Sequence, residues 1–300
     1  MELKDILVCL DPTDAADARL RIAAAIARDH GAHLSAAYVQ QQDIAGAPPY
    51  GGLGISAPAG AAGIAEGSVV AGIPLPGAPP AIGPDTTRAG AVADIVEQRF
   101  REAARPHAIE GDWHLFGAGE SDELTAIASA FDLLILGQDS TDYRLPTGFH
   151  PQDIMLACGR PMLVVPYAGQ FATIGRRALI AWDGTREASR AVHDAIPLLG
   201  RAEAVTVITV RAREAAFERD GPHLARVVKH LQRHGIAARS EETLRGDLPI
   251  SDVLLSRAAD LDADLIVAGA YHRGQLREAL FGGVSRDLLD HMTVPILMSH

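Results

Sequence analysis

The apolar positions of this chain fall into short unbroken runs separated by longer stretches in which apolar residues recur every three or four positions. Ile6-Leu-Val-Cys-Leu10 is followed by an alanine-rich amphipathic segment from about Asp14 to His30. Runs of this first kind read as strands buried on both faces, and the second kind as helices laid against them. The same alternation continues with strands at Leu34–Val39, Trp113–Phe116, Asp132–Gly137 and Pro161–Val165, and helices at about 91–104 and 122–130.

It then starts again. Ala178-Leu-Ile-Ala-Trp182 ends at Asp183 as the first run ends at Asp11, and Thr185 follows as the expected cap of a helix reaching about Leu199. Further strands are expected at Val205–Val210, Ala237–Glu241, Asp264–Gly269 and Pro295–Met298. Helices fall at about 222–234, 250–259 and from Ser285 to about His291. Asp132-Leu-Leu-Ile-Leu-Gly137 and Asp264-Leu-Ile-Val-Ala-Gly269 are the same phrase used twice. The pattern predicts an α/β protein of two tandem doubly wound, Rossmann-like domains, each a five-stranded mostly parallel sheet with helices on both faces. The boundaries expected are 1–169 and 170–300.

The two copies differ in length. From Asp11 to Gly137 is 126 positions, and from Asp183 to Gly269 is 86, so the first copy carries 40 more. The excess is assigned to the Gly/Pro/Ala-rich stretch 42–88, which has neither helical nor strand period. Gly52-Leu-Gly54 within it follows no strand and opens no helix, so it is not read as a dinucleotide fingerprint.

Composition removes several classes of function. With 48% hydrophobic and 22% charged residues the chain is an ordinary globular one, and no apolar run nears the roughly 20 residues of a membrane span. A net charge of −11, with lysine only at positions 4 and 229, does not make a nucleic-acid surface. Neither a membrane nor a nucleic acid is expected as a partner, no basic apolar leader is read at the start of the sequence, and a cytoplasmic protein is expected. Cys9 and Cys158 fit no metal or redox spacing and are expected to be reduced core residues.

Candidate chemistry gathers after Gly269. The segment to Ser285 contains Gly274, Gly282 and Gly283 and leads into a helix. Glycines let backbone approach an anion, and a helix start offers it free N–H groups. The segment is no Walker loop, because Gln275 and Leu276 stand where Lys and Ser/Thr are needed. His230 and His234 lie four apart on a helix without an evident third metal ligand, and Ser285, Asp290 and His291 share one helix without a nucleophile elbow. No metal site is expected beyond magnesium carried by a nucleotide.

Ala-Trp-Asp183, Val210, Gly269 and the Gly282-Gly-Val-Ser285 helix start resemble the universal stress protein family, and the whole chain looks like a tandem member of it. The resemblance implies an adenine nucleotide, such as ATP, held in the C-terminal half by Ala181, Asp183, Val210, Ala268, Gly269, His272, Gly282, Gly283, Val284 and Ser285. Asp183 would serve the adenine or ribose side, Val210 the base, and 282–285 the phosphates. In the nucleotide-binding branch of the family His272 is a glycine and Gly283 a hydroxyl residue. The resemblance also implies that the fifth strands pair across the domains, so that one chain imitates a dimer, with further dimerisation open. The first half, in which Gly137 leads into Gln-Asp-Ser-Thr-Asp, is expected to be bare. The function implied is a stress-response sensor or regulator with at most slow ATP hydrolysis. The other reading is a scaffold that binds no nucleotide and works through protein partners.

Overall fold

The computed structural model describes residues 2–40, 86–139, 149–211, 217–270 and 283–300. In the first half it holds strands β1 (Asp5–Leu10), β2 (His33–Val39), β3 (Trp113–Phe116), β4 (Leu133–Gly137) and β5 (Met162–Val165), and helices α1 (Ala15–His30), α2 (Thr86–Ala104), α3 (Ser121–Ala128) and α4 (Pro151–Cys158). The second half holds β6 (Arg177–Ala181), β7 (Ala204–Arg211), β8 (Ala238–Leu244), β9 (Leu265–Gly269) and β10 (Ile296–Ser299), with α5 (Arg186–Leu199), α6 (Phe217–Arg233), α7 (Ile250–Asp260) and α8 (Gly283–His291).

All these strands form one sheet, in the order β3-β2-β1-β4-β5-β10-β9-β6-β7-β8. Pairing is parallel within each half. At the centre β5 meets β10 antiparallel, with Leu163 opposite Leu297. The expected strand pairing across the halves is therefore present, and it merges the two sheets into one.

Period-two alternation assigns the side chains to two cores. Ile6, Val8 and Leu10 pack with α1, α2, α5 and α6 on one face, whereas Leu7, Leu134 and Leu136 pack with α3, α4, α7 and α8 on the other. Both faces of every central strand are thus removed from water, which is why those strands are apolar throughout. The repeated aspartates explain the repeated phrase. Asp132 Oδ2 accepts the N–H groups of Lys4 and Asp5, and Asp264 accepts those of Arg176 and Arg177, so each carboxylate fixes the start of the first strand of its own half.

Several expectations need correction. Helix α4 is absent from the sequence reading because it is only 8 residues long and opens on Pro151. Helix α2 begins at Thr86, inside the stretch assigned to the excursion, and α6 begins at Phe217, ahead of Pro222. Strand β8 runs on to Leu244, and α8 begins at Gly283, two residues before Ser285. The rest of the excursion, 42–85, lies outside the described residues. Among the described residues no helix is long and apolar enough to cross a membrane. Cys9 and Cys158 are both free, and burial pushes the Cys158 thiol above its ordinary value.

Candidate functional site

In a doubly wound sheet the crevice opens at the carboxyl ends of strands whose connections leave in opposite directions. In the second half those strands are β6 and β9: the chain proceeds outward from β6 to β7, while β9 leads back to β10. A cavity of about 240 Å³ lies there.

Its floor is the sheet. Ala181 ends β6, Ile208 and Val210 come from β7, and Ala268 and Gly269 end β9. One wall is apolar, formed by Ile250 and Leu254 of α7 and Leu288 of α8. Another is the first turn of α5, with Glu187 and Ala188. The third is the first turn of α8, made by Gly283, Val284 and Ser285, where the positive end of the helix dipole faces the cavity. An apolar slot thus leads to a helix N-terminus, a shape that suits a flat apolar group joined to an anion.

Local sequence chemistry sets the rim. Asp183 Oδ1 accepts from Thr185 N–H at 3.0 Å and Thr185 Oγ at 2.7 Å, and the Thr185 hydroxyl in turn accepts from Ala188 N–H at 3.1 Å. This caps α5 and leaves Asp183 exposed at the rim of the cavity. Trp182 is half-buried beside it, and its carbonyl accepts from Thr209 Oγ1 at 2.9 Å. Gly269 is required by closeness. A Cβ built there would sit 2.5 Å from Ala188 N and 2.6 Å from Glu187 C, so any side chain would force α5 away from β9.

The structure therefore brings Ala181, Asp183, Val210, Ala268, Gly269, Gly283, Val284 and Ser285 around one cavity. His272 and Gly282 lie outside the described residues, as do Tyr271, Arg273, Gly274 and Arg277. Ile250, Leu254 and Leu288 were legible only as the apolar face of a helix. Glu187, 2% exposed, gave no signal beyond an acid in a first helical turn.

The equivalent place in the first half is nearly filled. Asp11 makes the same turn, accepting from the N–H and the hydroxyl of Thr13, but its other oxygen receives Arg19 Nη2 at 2.5 Å. Arg19 Nη1 donates to the Cys9 carbonyl at 2.7 Å, and the guanidinium lies against Gly137. Only about 20 Å³ is left, room for about one water. Burial alone would raise the Asp11 carboxyl, but Arg19 together with Thr13 holds it below the usual carboxylate value.

Other sequence candidates settle differently. His193 of α5 joins His230 of α6 and His234 just beyond that helix, with successive ring centroids 4.8 and 4.7 Å apart. Among the described residues no group of three such side chains is arranged to hold a metal ion. Desolvation, reinforced by its two neighbouring histidines, lowers the pKa of His230. His291 donates through Nδ1 to Asp287 O at 3.0 Å, turning its ring back along α8.

Comparison with known proteins gives the fold its relatives. Residues 175–300 match the family model described as the Universal stress protein family. A universal stress protein from Archaeoglobus fulgidus DSM 4304 is 12% identical, with 99% of this chain and 96% of that one covered at a TM-score of 0.69. A functionally unknown protein from Pseudomonas aeruginosa PAO1 is 17% identical, with 98% of this chain and 92% of that one covered at 0.55. At such identities these likenesses establish the fold, and a search of curated proteins finds no match. The C-terminal half is thus similar to the universal stress protein family, and the N-terminal half is a second copy of the same α/β fold joined to it in one sheet.

Proposed function

We propose that the C-terminal half binds an adenine nucleotide, ATP or a close relative, and that the protein serves as a stress-response regulator through that occupancy. The observation that supports this reading is the pairing of an apolar slot with a helix N-terminus in a single cavity. The base would lie between Val210, Ile208 and the α7 wall of Ile250 and Leu254. The ribose hydroxyls would face Asp183. The phosphates would meet the first turn of α8, where the helix dipole favours negative charge. The carboxylates among the described lining, Asp183 and Glu187, suit hydrogen-bond acceptance from a ribose better than phosphoryl transfer, so regulation is favoured over rapid turnover.

Trp182 is the natural reporter, since it lines the cavity and the chain has just one other tryptophan, Trp113, stacked between Tyr38 and Phe100 in the first half. In a Trp113→Phe background, ATP is expected to change Trp182 emission saturably. Val284→Glu should weaken that response at least about tenfold, because a carboxylate in the first turn of α8 favours the helix while repelling phosphate. Trp182 emission unmoved by millimolar ATP would return the scaffold reading.

A further inference from the structure

We propose that Gln138, in the first half, is a positioning residue for the anion-facing helix of the second half. The inference rests on the nucleotide reading of the cavity. Gln138 stands just beyond β4, and its backbone N–H donates to Val165 O at 2.8 Å, so the residue is fixed to the end of the sheet. Its side chain crosses to the other half. Nε2 donates to Leu289 O at 2.8 Å and to Asp290 O at 3.1 Å, while Oε1 accepts the N–H of Tyr167 at 3.3 Å.

The chemistry of these contacts allows one orientation. Turning the amide over would place its oxygen against two carbonyls and its NH2 against an N–H, so glutamine fits here and glutamate does not. Leu289 and Asp290 lie in the last turn of α8, where carbonyls have no partner within the helix. The amide therefore satisfies two open acceptors at the back of a helix whose front turn lines the cavity. Helix α8 has 9 residues, so its two ends are roughly 13 Å apart. A rod this short carries a shift at one end to the other.

The repeat makes the arrangement directional. The position after Gly269 is Ala270, whose N–H donates to Ser299 O at 2.8 Å as that of Gln138 does to Val165. The backbone place is the same, but alanine has no side chain to reach across. Support runs from the closed half to the open one.

The test combines ATP titration with hydrogen exchange on the full chain and its Gln138→Ala and Gln138→Glu variants. Gln138→Ala should weaken ATP about fivefold and raise amide exchange in α8 by a similar factor, with β9 and α5 unchanged. Gln138→Glu, which sets a carboxylate against the two carbonyls, should do more. If the parent chain binds no ATP, the nucleotide reading fails while α8 exchange still reports whether the strut exists. Parent binding with unchanged affinity in Gln138→Ala overturns the positioning role, whether or not α8 exchange rises.

Discussion

The two halves begin their sites identically and finish them differently. Asp11 with Thr13 and Asp183 with Thr185 make the same side-chain turn at the end of the first strand of each copy. Eight residues further on, the first copy has Arg19 and the second Ala191. The arginine lies under the turn, pairs with Asp11 and leaves about 20 Å³, whereas the second half keeps about 240 Å³. A strand-end turn is thus a property of the fold, and the space beneath it is a property of one side chain.

The comparison is broken most forcefully at Arg19. Arg19→Ala leaves a buried carboxylate without its cation and should cost about 3 kcal/mol in chemical denaturation at neutral pH. The Asp11 carboxyl titrates below its ordinary value of 3.8 in the folded chain, so the pair contributes its full stability above that pH and loses it as pH falls through the folded value. The gap between parent and variant should therefore shrink below about pH 4. A loss below about 1 kcal/mol would mean that Arg19 is not what holds the first half shut.

The paired glycines sharpen the same contrast with smaller effects. Gly269→Ala drives a Cβ into the backbone of α5 and should cost about 2 kcal/mol, measured by urea denaturation, with weakened ATP binding. Gly137→Ala meets atoms of the Arg19 guanidinium, the nearest at 2.7 Å, and these belong to the end of a side chain that can shift by a few tenths of an ångström. Its cost should be about 1 kcal/mol, with ATP binding unchanged. Equal costs at the two glycines would show that the arginine is as rigid as helix backbone.

Much of the fold was legible because parallel strands covered on both faces must be continuously apolar, and the repeated Asp-Leu phrase marks the same strand start twice. Helix α4 was not, since eight residues opening on a proline carry too little period to stand out. The floor of the cavity and its α8 side could be read from Asp183, Gly269 and Gly283, each placed at a strand end or helix start. Its apolar wall could not, because Ile250 and Leu254 look like any buried helix face until α7 is seen to start beside the end of β7. The signal for Arg19 was available: counting eight from each strand-end aspartate gives Arg in one copy and Ala in the other. The part of the loop from Tyr271 to Gly282 lies outside the described residues.

The central claim is one open site and one closed site in a single chain. Calorimetric titration of the purified full-length protein with ATP tests it most directly. The account predicts saturable heat with one ATP bound per chain, lost in Val284→Glu and retained in Gly137→Ala. Two ATP per chain, or no heat at millimolar ATP, would contradict it.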